Sequence, residues 1–380
     1  MRKEKKDMYK KIIILVIGFF LCFSYPTLAF GEEKQPDTYT RAKVIGIIED
    51  EIERIPTSGE DLVLRVQKLR VKGISKPYKG ELFTAENTIH LDAVYQYAVK
   101  EGDKVVLFLE RDEEGEIKAA YIADPVRDSY LLYLLLFFLF LLVLIGKGKG
   151  IKAVITLVLT IGSIIKILLP GILKGYSPIC LSILISIGII IITLWVVSGW
   201  NRKTMTAIIG TTGGVGIAGI IAWWVGIQAN LSGLSSSEAQ MLLYIPQGEH
   251  FDLKGILFAG IILGALGAVM DVSMSIASAL YELKKANPLL TRKELIQSGM
   301  NVGKDVMGTM SNTLILAYAG GAIHVMLLFL AYEFSLLEIM NMDMIATEVV
   351  RALSGSIGLL LAIPLTTVVG ALLLQNHQQS

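Results

Sequence analysis

From residue 131 to residue 374 the chain is a succession of apolar runs, most near the ~20 residues that cross a bilayer as a helix, joined by short polar loops. No other feature restricts the fold so strongly. Inside hydrocarbon a backbone has no water to bond, so only helices and closed barrels can span it. Runs this long and continuous are helical, because a membrane barrel would alternate polar with apolar residues. The 380 residues are 53% hydrophobic, more than a soluble protein of that size can cover with polar groups. The formal charge of +1 gives no reason to expect a nucleic-acid partner.

The runs read as about seven spans: Leu131–Ile145, Ala153–Leu173, Pro178–Val197, Met205–Ile227, Gly255–Tyr281, Val306–Ala331 and Val350–Leu374. Lys and Arg collect at 147–152, 202–203 and 284–293, in three loops that counting spans places on one side. Positive loops stay in the cytoplasm, so the C-terminus is expected inside. The second span carries Lys166, which can snorkel outward, and Pro170. Between spans, "SSSEAQMLLYIPQGEHF" reads as a short interfacial helix opened by a capping box of Ser235 and Glu238. "NPLLTRKELIQSGMNVGKD" reads as an amphipathic helix under the membrane, with Thr291 as N-cap and Glu294 at N3. It either couples to a soluble partner or simply joins two spans.

The beginning of the chain is different. A basic start, the apolar stretch "IIILVIGFFLCF" and small residues at Thr27 and Ala29 make residues 1–30 a secretory signal, or else an uncleaved anchor. Residues 31–126 are expected to be exported. There the runs "TRAKVIGIIED", "EDLVLRVQKLRV", "GELFTAEN", "KVVLFLER" and "IKAAYIAD" alternate polar with apolar residues between turn signals such as "KEGDK" and "DEEGE". Five short strands of this kind predict a small SH3- or OB-like barrel. Residues 127–375 form the helical membrane domain, and 376–380 a cytoplasmic tail. The two cysteines, Cys22 and Cys180, lie in apolar runs and make neither a disulfide framework nor a metal site.

Within "GALGAVMDVSMSIASAL", residues 264–280, an aspartate stands in the middle of an apolar span. A charge there costs ~3 kcal/mol on the lenient scales, so intramembrane acids are functional candidates. At 100° per residue, Gly260, Gly264, Gly267, Asp271, Ser275 and Ser278 share one stripe. Small residues let another helix approach, so the stripe is expected to face protein or a wet cavity, with serine hydroxyls bonding the carboxylate. The alternative is a protonated carboxyl that locks the bundle. In "GKDVMGTMSNTLILAYAGG", Asp305, Gly308, Thr309 and Asn312 share a second polar face, while His324 lies off it and reads as a packing residue. In the last span Glu348 and Arg351 can pair one turn apart, and Pro364 is expected to break the helix, with Thr366 and Thr367 bonding the freed groups. "IIGTTGGVGIAG" holds Gly214, Gly216 and Gly219 in the dinucleotide spacing, but no strand precedes it. Close helix packing or a helix break fits better.

The blocks "GALGAVMDVSMSIASAL", "GKDVMGTMSNTLILAYAGG" and "RALSGSIGLLLAIPLTT", in this order after a signal and a β domain, resemble the YibE/F-like family of bacterial multi-span membrane proteins over roughly residues 125–375. The resemblance implies a multi-pass protein of the bacterial cell membrane and brings no activity, cofactor or site residue. The residues themselves support a transporter or permease component for a small solute or ion, with Asp271 as its intramembrane carboxylate and Asn312 and Asp305 as partners. The glycine-rich fourth span and the Pro364 helix would line the pathway. Two alternatives stand beside it. One is a non-catalytic assembly or signalling protein whose exported β domain binds a partner and whose spans meet another membrane subunit. The other is a two-aspartate intramembrane enzyme using Asp271 and Asp305, although its signature is absent. No nucleotide, metal or hydrolase motif is present, so no cofactor is expected.

Overall fold

The computed structural model describes residues 39–55, 62–90, 97–112, 115–245 and 251–375. The signal and the C-terminal tail fall outside these. The described chain divides between Leu141 and Leu142 into two compact units.

The first unit is a closed barrel of five strands: β1 Tyr39–Ile55, β2 Leu62–Gly73, β3 Leu82–His90, β4 Lys104–Arg111 and β5 Ile117–Pro125. Around the barrel the order is β1-β2-β3-β5-β4, and β4 returns to β1. Only β3 and β5 run parallel, through Ala85↔Ala120. This Greek-key closure is the OB-type arrangement. Strand alternation builds the core. Val105, Leu107 and Leu109 on β4 are fully buried, as are Leu69 and Val71 on β2, while the residues between them point outward. β1 is long enough to serve two neighbours because it bends at irregularities beside Gly46 and between Ile47 and Glu49. In the "KEGDK" turn Gly102 takes φ 92°, a backbone that side-chain-bearing residues avoid.

Gln67 and Asn87 bring amide groups inside this barrel. Gln67 is 1% exposed, and its Oε1 accepts from Asn87 Nδ2 at 3.0 Å and from the Val99 amide at 2.9 Å. Gln67 Nε2 donates to Asp50 Oδ2 at 2.9 Å, and Asn87 Nδ2 also donates to the Tyr97 carbonyl. Arg65 grips Asp50 with two bonds of 2.7 Å. Those bonds from Arg65, and then that from Gln67, hold the Asp50 carboxyl at a pKa of about 2. The network ties the stretch 97–99 to β2 and β3 with its buried amide groups satisfied.

The second unit is helical. α1 (Asp128–Ser163) spans the division between the units and is interrupted at Lys147, where φ 47° and ψ −127° leave the helical region. The stretch from Asp128 to Leu173 would otherwise run 46 residues, about 69 Å at 1.5 Å per residue and over twice a hydrocarbon core. After the break Gly150 rests on the Leu142 carbonyl, where a Cβ would lie 2.0 Å from the oxygen. A π-helical turn, Ile164–Leu168, then leads into α2 (Leu169–Leu173) and accommodates Pro170, which has no N–H to donate.

There follow α3 (Pro178–Ser198), α4 (Arg202–Gln228), α5 (Ser237–Met241), α6 (Leu253–Ala286), α7 (Arg292–Gly321), α8 (Ile323–Ala331), α9 (Leu336–Asn341) and α10 (Asp343–Gln375). Five helical stretches are long and apolar enough to cross a membrane, and α7 with α8, bent by 60°, makes a sixth. The break at Lys147 falls within the longest stretch, between the first two runs read from the sequence. The expected helix under the membrane and the sixth span are one continuous helix, α7, opened by the Thr291–Glu294 capping box. The cap of α5 is Ser236, whose hydroxyl accepts from the Ala239 amide at 3.1 Å, one residue later than the sequence suggests.

α4, α6 and α10 form the centre. A Cβ at Gly214 would lie 2.7 Å from Ala362 and 2.8 Å from the Gly358 carbonyl, so α4 and α10 touch backbone to backbone. Gly214 and Gly219, the latter against Ile262, are therefore packing residues, whereas nothing lies within 4 Å of a Cβ placed at Gly216. α10 also runs unbroken through Pro364, contrary to the expected break. Buried Ala362, Ile363 and Thr366 clamp it on both sides, and packing outweighs the lost backbone bond. Thr366 Oγ1 donates to Ser273 Oγ at 3.2 Å, and Thr367 Oγ1 has no partner, so neither repairs the proline's gap.

The basic loops meet at one end of this unit. Lys152 Nζ donates to the Val197 carbonyl at 3.3 Å, Arg202 to the Leu373 carbonyl at 2.5 Å, and Lys203 lies 6.0 Å over the Tyr281 ring.

Candidate functional site

α6 buries Ala265, Val269, Val272, Ile276 and Leu280 against the centre. The opposite side of the helix is free. Gly260, Gly264, Gly267, Asp271 and Ser275 are exposed, and Ser278 is half-buried. No atom comes within 4 Å of a Cβ placed at Gly260 or Gly267. Of the three glycines only Gly264 meets a neighbouring helix, through the Tyr318 hydroxyl of α7. The apolar face offers more area to bury, and α6 docks by that face, so the strip is open at Gly260 and Gly267. Among the described residues Asp271 makes no hydrogen bond or ion pair, with the nearby serines or with anything else.

The polar face of α7 does not join it. α7 packs through Leu295, Gly299 and Gly303, with Gly299 against Thr367 and Gly303 against Ile363 of α10. Asn312 lies nine residues beyond Gly303, about 180° round the helix, and it is exposed with Asp305, Gly308 and Thr309. Thr309 Oγ1 donates only to its own helix, at Val306. Asp305 and Asn312 are therefore not partners of Asp271, and no bond links the two aspartates that an intramembrane acid pair would need close together. His324 is exposed past the bend, not packed.

The structure assembles a different constellation at the end opposite the basic loops. Ser232 donates its hydroxyl to Asp343 Oδ2 at 2.6 Å and its amide to Oδ1 at 3.2 Å, tying the loop after α4 to the first turn of α10. Between this loop, α5, the first turns of α6, the α7–α8 bend and α10 lies a cavity of about 730 Å³. Its walls include Ile256, Leu257, Val325 and Ile345, and its polar groups are Ser235, Ser236, Ser237, Glu238, Tyr318, Glu348 and Arg351. Arg351 Nη1 donates to Glu348 Oε1 at 2.5 Å, with both side chains about 30% exposed. The Tyr318 hydroxyl, which feels both charges, stands 2.8 Å from where a Gly264 Cβ would be.

Gly260 belongs to both features. It lines the cavity and begins the open strip that runs through Gly264 and Gly267 to Asp271, about 16 Å along the helix at 1.5 Å per residue. The sequence reading took Glu348 and Arg351 for a local pair and gave no role to Tyr318. The adjacent Gly320 and Gly321, at which α7 bends, were the one local signal that space opens there. A second cavity of about 410 Å³, between α3, α4 and α6, is lined by Ile183, Ile187, Gly216, Gly219, Trp223 and other apolar residues and carries no charged group. No group of three or more metal-ligating side chains occurs among the described residues.

Comparison with known proteins gives two matches. A family model described as YibE/F-like protein matches residues 134–376, and one described as the YibE/F family N-terminal domain matches residues 37–125. No curated protein and no solved structure matches.

Proposed function

The chain belongs to the YibE/F-like family of multi-pass membrane proteins, and from that premise we propose that it is a transporter, or the permease component of one, for a small polar solute or ion. One observation carries the reading. A cavity with an ion pair on its wall continues, along a strip of glycines that is open at Gly260 and Gly267 and met by the Tyr318 hydroxyl at Gly264, to an unpaired carboxylate in the middle of an apolar helix. A carboxylate at that depth needs a proton, a cation, water or a protein partner, and none of the described residues is one. Asp271 is thus the group that a coupling ion or solute would visit, and Glu348, Arg351 and Tyr318 form the entrance.

By the positive-inside rule, the basic loops put the C-terminus in the cytoplasm and the barrel outside, so the cavity faces the exterior. On this reading α7 is the mobile element. It contacts the centre through few buried residues, and the bend at Gly320–Gly321 forms one wall of the cavity. Its exposed face of Asp305, Thr309 and Asn312 also suits contact with another membrane subunit, which favours a permease component over a lone carrier.

Cysteine accessibility tests the reading. In a protein carrying Cys22→Ser and Cys180→Ser, cysteines at Gly267 and Ser275 are expected to react with a membrane-impermeant maleimide. Reaction only with lipid-soluble reagents would leave the pathway without a wet lining and defeat the proposal.

A further inference from the structure

The charges along the cavity and the glycine strip do not balance. Among the described residues the one base there, Arg351, is already neutralised by Glu348. The two remaining charged groups are both acids, Glu238 on the cavity wall and Asp271 at the end of the strip, and neither forms an ion pair among the described residues. Glu238 is held ionised, since its own amide and the Ser236 hydroxyl bond its carboxylate and push its pKa down.

We propose that the cavity binds a small organic cation, an ammonium-bearing solute, with Glu238 receiving the charge and the hydroxyls of Ser237 and Tyr318 accepting its N–H bonds. An anion would have to share the Arg351 guanidinium with Glu348 and add a further negative charge to a cavity that already holds Glu238, a like-charge arrangement that costs binding energy. An ammonium group meets an acid that has no cation beside it. The size agrees as well. About 730 Å³ is far more than a bare metal ion occupies and lies within the range of metabolite sites, and the apolar walls match methylene groups.

The inference leans on the transport reading only for the step from cavity to Asp271, and binding tests it separately. Full-length protein in lipid nanodiscs is titrated calorimetrically with four probes of one chain length: putrescine, 4-aminobutanoate, succinate and butane-1,4-diol. Putrescine is expected to bind at least about tenfold more tightly than the others, and Glu238→Gln to weaken it by about tenfold. Glu333→Gln, an exposed acid away from the cavity, is expected to change nothing. Equal or tighter binding of succinate or 4-aminobutanoate, no binding of putrescine, or indifference to Glu238→Gln overturns the proposal. Flux of labelled putrescine in proteoliposomes separates the two ideas. Binding without Asp271-dependent flux removes the transport reading and leaves the cation site, whereas Asp271-dependent flux of succinate does the reverse.

Discussion

The barrel and the helical unit differ in what their buried polar side chains do, although the barrel too leaves one buried atom, Arg111 Nε, without a partner. In the barrel, Gln67, Asn87, Asp50 and Arg65 bond one another and the backbone, and their role is to hold strands and the 97–99 stretch together. In the helical unit the side-chain hydroxyls of Thr211, Ser186, Ser356 and Thr367 are buried with no partner, and Asp271 is exposed with none. That unit is held instead by backbone contact between glycines and by apolar faces, as at Gly214 against Ala362. Polar groups that hold nothing together are free for other work. The difference therefore separates a structural acid, Asp50, from a functional candidate, Asp271.

Gly214→Leu is the severest test of that contrast. Its side chain has nowhere to go between Ala362, Val269 and the Gly358 carbonyl, so a loss of roughly 3 kcal/mol or more is expected, seen as a collapsed melting temperature in detergent. Gln67→Ala follows, at roughly 2 kcal/mol, because Asn87 and the Val99 amide lose their acceptor. Hydrogen exchange over residues 97–111 of the full chain is expected to speed up while the helices stay protected. Unchanged exchange there would mean that the network does not carry the barrel.

Acid gives a gentler version of the same test. Asp50 has a folded pKa of about 2, below its ordinary 3.8, so the stability it contributes is complete above pH 3.8 and drains away as pH falls toward 2. Exchange in β2 is expected to rise through that window in the wild type and to be flat in Asp50→Asn. The smallest effect on stability belongs to Asp271→Asn, within about 0.5 kcal/mol, because no bond is lost. Transport is nonetheless expected to be abolished. Should that variant melt well below the wild type, Asp271 is structural and the contrast between the two regions fails.

Much of the architecture was legible in the residues. The alternation of Val105, Leu107 and Leu109 marks a strand with one buried face, and the apolar runs mark helices that a bilayer would accept. Thr291 and Glu294 announce the start of α7 by a bond pattern that spans only four residues. The site was less legible. Gly260, Gly264, Gly267 and Asp271 do share one stripe, but the sequence did not show that a neighbour, Tyr318, meets it only at Gly264. Smallness permits close approach without compelling it, and α6 turned its larger apolar face inward.

Local chemistry along the chain was enough to decide which segments become strands, helices and caps, since each depends on neighbours within a few residues. Only the tertiary structure decided that Ser232 would bind Asp343, that Tyr318 would reach Gly264, and that a cavity would form around Glu348 and Arg351. Those contacts join residues far apart in the chain, and they exist because α4, α6 and α10 bury one another first and leave the remaining faces where they fall.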